Sequence, residues 1–86
     1  MVASRSRARS GIGLSLKSAG HNLELAGETA DCKKALHWLR LASRSLALVA
    51  CDAATSGIGR KQRQRWQRLA TKERAEYERF SKTCMR

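Results

Sequence analysis

The chain has 86 residues and a formal net charge of +11, from 18 Lys and Arg against 7 Asp and Glu. That length holds one domain and buries too little surface for high stability alone, so a second copy or a partner is expected to contribute. A membrane span is excluded, because the longest apolar run, Leu46 to Cys51, falls far short of the ~20 residues a bilayer core requires.

The charge is distributed unevenly. Residues 1–20 carry Arg5, Arg7, Arg9 and Lys17 with no acid, residues 21–56 sum to zero, and residues 57–86 set ten cations against Glu73, Glu76 and Glu78. A neutral middle flanked by two cationic ends implies a folded segment that carries basic extensions.

Residues 1–13 are Ser, Arg, Ala and Gly with only Val2 and Ile12 as large apolar side chains after Met1, a composition that predicts a flexible basic arm ahead of a single helical domain over 14–86. The tetrapeptide Ser-Gly-Ile-Gly occurs at 10–13 and again at 56–59, and paired glycines around one apolar residue suit a joint at each place. Between the joints, Leu14-Ser15-Leu16-Lys17 and Asn22-Leu23-Glu24-Leu25 alternate apolar and polar residues. The alternation fits a short β-hairpin over 14–25, while the leucine and alanine content fits a helical or irregular lead-in.

A helix is expected over 29–55, capped by Thr29 with Asp31 in its first turn. Cys32, Ala35, Leu36, Leu39, Ala42, Leu46, Val49, Ala50 and Ala53 recur at three- and four-residue steps and define its apolar stripe. Lys33, His37, Arg40 and Arg44 form a basic row elsewhere on the same helix. Leu41 and Leu48 stand seven apart outside the stripe, which makes them candidates for contact with a partner protein or with a second copy in a homodimer.

A second helix is expected over 60–85, with Trp66, Leu69, Ala70, Tyr77, Phe80 and Cys84 on one side, and Thr71 placed to divide it in two. The fold class is therefore mainly α, a helical hairpin in which this aromatic row meets the Cys32-to-Ala53 stripe. The nine residues from Arg60 to Arg68 contain five cations and no acid. Helix faces in water usually mix both signs, so a one-signed run points to a polyanion whose counterions are released on binding. Nucleic acid, DNA or RNA, is the expected partner, contacted through Arg60, Lys61, Arg63, Arg65, Arg68, Lys72, Arg79 and Lys82, with Arg5, Arg7 and Arg9 added from the arm. Trp66 is read as core, not as a base-stacking platform, because it shares its row with Leu69, Tyr77 and Phe80.

In order along the chain, Trp66, Leu69, Thr71, Glu73-Arg74 and Tyr77 resemble the junction of the second and third helices in HMG-box DNA-bending domains. The resemblance is confined to this stretch, since the aromatic-rich opening helix of that family has no counterpart here. It implies DNA binding and a helix boundary near Thr71.

Two other classes fit the same composition. One is a small adaptor or inhibitor, of the kind phages and mobile elements encode, laying its helices on an acidic host-protein surface; the other is a ribonucleoprotein component. Catalysis and metal binding lack a motif: there is no Cys-x-x-Cys or His-Glu-x-x-His spacing, and Cys32 and His37 point to different sides of a helix. No cofactor is implied. Cys32, Cys51 and Cys84 are an odd number without a secretory core before them, so reduced thiols in the cytoplasm are expected. The Ser- and Arg-rich opening resembles a mitochondrial transit peptide in composition, which makes the mitochondrial matrix the alternative compartment.

Overall fold

A computed structural model describes residues 2–85, with side-chain placement described for 11–85. It contains α1 (Val2–Glu28), α2 (Cys32–Ser56) and α3 (Arg60–Cys84), and no strand among the described residues. The two connections, 29–31 and 57–59, are three residues each. Links that short return the chain along the helix it has just left, so α1 and α3 run parallel with α2 antiparallel to both. The result is a rod measuring 51 × 19 × 17 Å.

The expected β-hairpin at 14–25 is absent, and those residues lie inside α1. Alternation in the two tetrapeptides is local, whereas the apolar residues that become buried are Ile12, Leu16, Ala19, Leu23 and Ala26, at steps of four and three. That is a helical stripe, and burying it decided the conformation over the strand-like spacing of the leucines. Leu14, which the hairpin would have needed on its apolar face, is exposed instead. The stretch read as a basic arm, 1–13, falls largely on the first turns of α1; the side chains of Arg5, Arg7 and Arg9 lie outside the described residues.

α2 presents Leu39, Ala42, Leu46 and Val49 to the α1 stripe, and these two rows form the buried core. The helix-to-helix contact expected between α2 and α3 exists, but it is secondary. No residue of α3 is fully buried; Trp66, Leu69, Tyr77 and Phe80 are half-buried against the core made by the other two helices. Of the stripe read from the sequence, Ala50 is exposed.

The cap of α2 is Asp31, not Thr29. Asp31 Oδ1 accepts from the backbone N–H groups of Lys33 and Lys34 at 2.9 and 3.4 Å, while Thr29 Oγ1 accepts from the Asp31 N–H at 3.2 Å. Both residues act, but the carboxylate takes the capping position and sits at the positive end of the helix dipole. α2 ends at Gly57, whose φ of 79° lies in the region that disfavours any side chain.

The two copies of Ser-Gly-Ile-Gly behave differently. The copy at 56–59 is the joint between α2 and α3, whereas the copy at 10–13 runs on as helix. Ile12 is buried with Leu16 and Val49, and Ile58 packs against the same cluster. Tertiary burial of Ile12 offsets the roughly 1 kcal/mol that each glycine costs in a helix interior.

Candidate nucleic-acid interface

Three features of α3 place its cations. Gly57 turns the chain out of α2, Gly59 starts the new helix with its N–H donating to Gln62 Oε1 at 3.4 Å, and the half-buried aromatic row fixes which side faces inward. The opposite side of the helix is then turned to water. Arg60, Lys61, Arg63, Arg65, Arg68 and Lys72 are all exposed. Lys61, Arg65, Arg68 and Lys72 follow one another at steps of four, three and four, a continuous row about 16 Å long.

α3 does not divide at Thr71. The helix is continuous from Arg60 to Cys84, and Thr71 Oγ1 donates back to the Gln67 carbonyl at 3.0 Å instead of capping a new turn. The helix boundary implied by the HMG-box resemblance is therefore not present, and that likeness is one of residue order alone.

The acids of α3 are positioned so that they leave this row unpaired. Glu73 and Glu76 are half-buried on the inward side. Glu76 pairs with Arg79 at 2.7 Å, and Arg79 also donates to the Gly27 carbonyl at 3.3 Å near the end of α1. Glu78 lies 3.6 Å from Lys82. Arg79 and Lys82 are thus engaged within the chain, and Arg79 clips α3 to α1. No ion pair joins any of the six cations from Arg60 to Lys72 to an acid among the described residues. The pair of Arg74 with Glu78 suggested by their spacing is not formed.

Topology sharpens this asymmetry. α1 and α3 are parallel, with Gly20 beside Leu69 and Gly27 beside Glu76 and Arg79. The backbone carrying Arg5, Arg7 and Arg9 therefore lies at the same end of the rod as the N-terminus of α3. Glu24, Glu28, Asp31, Glu73, Glu76 and Glu78 lie toward the other end. The unsatisfied N–H groups at the start of α3 add partial positive charge at the basic end.

Trp66 is not free to stack on a base, since it packs against Ile12, Leu16 and Val49. Tyr77 shares a hydrogen bond with Ser43 across α2 and α3 at 3.0 Å. A cavity of about 290 Å³ opens at the opposite end of the rod, lined in part by Asp31, Glu76, Arg79 and Phe80. Its one cation is already committed to Glu76 and Gly27.

Two cysteines behave differently from the sequence expectation. Cys32 and Cys84 form a disulfide across 52 positions, and Cys51 is free and exposed. The reading of all three as reduced thiols is overturned for this pair. Antiparallel packing brings the start of α2 against the end of α3, a proximity that cysteine spacing cannot reveal. Leu48 is 52 % exposed and Leu41 half-buried, both on the side of α2 away from α3. No helix is long and apolar enough to cross a membrane among the described residues. No known protein family, characterised protein or solved structure matches this chain.

Proposed function

We propose that the protein binds nucleic-acid phosphates, without catalysis, through the exposed cations of the N-terminal half of α3. The observation that carries this reading is the row from Arg60 to Lys72: six cations on a helix surface, with no acid among the described residues to pair them. Such a surface is unfavourable by itself, because like charges three and four apart repel and cations at a helix start oppose its dipole. A polyanion converts both costs into attraction. Guanidinium forks suit phosphate oxygens, and four of the six cations are arginine.

The complex is electrostatic and sequence-tolerant. Trp66, Tyr77 and Phe80 are taken up by packing, and no polar side chain of the row is held in the fixed geometry that base reading requires. The partner is therefore named at the level of its phosphate backbone.

Titration of a labelled duplex at several salt concentrations tests the reading. Neutralising about six phosphates gives a slope of log affinity against log salt near −5. Replacing Arg63, Arg65 and Arg68 together with Gln reduces the magnitude of that slope by about 3, with the helical circular-dichroism signal retained. Binding that does not respond to salt, or a triple variant that binds like the parent, removes the proposal.

A further inference from the structure

The side of α2 turned away from α3 carries a second pattern. Lys34, Trp38, Leu41, Ser45, Leu48 and Asp52 follow one another at steps of four, three, four, three and four, and so line one edge of the helix. The hydrogen bond from Ser45 to Ser18 at 3.4 Å shows where α1 borders this edge. Leu14 lies four residues before Ser18 on the same line of α1 and is 66 % exposed, so apolar surface continues beyond α2.

The steps read the same in both directions. Positions 34 and 52, 38 and 48, and 41 and 45 are each symmetric about Ser43. When two copies of α2 are laid antiparallel on this edge, Trp38 of each meets Leu48 of the other, Leu41 meets Ser45, and Lys34 meets Asp52. Each contact then occurs twice, as a two-fold axis requires.

We propose that the protein forms an isologous dimer through this edge of α2, with two Lys34–Asp52 pairs closing the seam at its ends. Charge placement argues for a second copy as the occupant. Lys34 is in the first turn of α2 and Asp52 is near its last, each at the end where the helix dipole disfavours its sign. Neither joins an ion pair among the described residues. In the dimer each finds the opposite charge from its partner. Residues 21–56 have no net charge, so this face can meet its own copy although the whole chain is strongly basic. The dimer leaves both α3 helices on the outside and does not depend on phosphate binding.

Sedimentation equilibrium without nucleic acid tests the dimer, in a Cys51→Ser background so that association is non-covalent. A dimer is expected, and Leu48→Glu abolishes it. Lys34→Asp alone and Asp52→Lys alone each weaken association roughly tenfold, because each creates two like-charge contacts, and the double reversal restores it to within about threefold. Both single changes suit the dipole of α2, so unfolding does not account for their loss of association. A protein that is monomeric at every concentration overturns the proposal. So do charge reversals that show no mutual rescue, because the antiparallel register demands that the two positions face each other.

Discussion

At Glu73 a carboxylate occupies a position in the inward row otherwise filled by Trp66, Leu69, Tyr77 and Phe80. Its Oε2 is buried with no hydrogen-bond partner. An unmatched polar atom of this kind costs on the order of 1 to 3 kcal/mol, whereas the neighbouring Tyr77 meets its own requirement through Ser43. Glu73→Met keeps length and helix propensity while removing the unmatched oxygen. Urea unfolding is expected to show the variant about 1 kcal/mol more stable than the parent. An equal or lower midpoint would mean that Glu73 is satisfied in solution.

The helices are unequally secured. α1 and α2 share the whole buried core, while α3 contributes only half-buried side chains. The first half of α3 also bears four like-charge pairs at three- or four-residue spacing: Arg60 with Arg63, Lys61 with Arg65, Arg65 with Arg68, and Arg68 with Lys72. At a few tenths of a kcal/mol each, these oppose the helix by about 1 to 2 kcal/mol at low ionic strength. Amide hydrogen exchange should therefore find α3 less protected than the paired helices. Adding inorganic pyrophosphate should slow exchange in the first half of α3 far more than in α1 or α2. Uniform slowing across all three helices would show that the row holds no privileged anion affinity.

For the molecule as a whole, what matters is how α3 is held against the other two helices. At one end the three-residue joint at 57–59 ties it to α2, and at the other the Cys32–Cys84 bond does. Closing a loop of 52 positions restricts the unfolded chain and contributes about 4 kcal/mol in the chain-entropy account. Reduction is expected to lower the free energy of unfolding by about that amount, and Cys84→Ser should match it, both followed by urea titration. Protection should be lost first at the C-terminal end of α3, where the packing of Phe80 and the contacts of Arg79 then act without the disulfide. An unchanged midpoint after confirmed reduction would show that packing alone retains α3.

Periodicity and charge by themselves determined much of this protein. The α2 stripe, the limits of α3 and the inward aromatic row could be read from residue spacing, because a helix repeats every 3.6 residues wherever it packs. The one-signed run from Arg60 to Arg68 could be read directly, since charge is a property of composition. Only tertiary structure decided the rest. Leu14-Ser15-Leu16-Lys17 is locally compatible with a strand, and burial of Ile12, Leu16 and Leu23 against α2 made it helix. Thr71 can cap or continue a helix, and the packing of Leu69 and Tyr77 on either side carried the helix through. Cys32 and Cys84 carry no mutual signal across 52 positions, and antiparallel α2 and α3 brought them together. The ion pairs of α3, Glu76 with Arg79 and Glu78 with Lys82, are local to the helix. That Arg79 also reaches the Gly27 carbonyl depends on α1 and α3 lying side by side, a relation that exists only once the chain has folded.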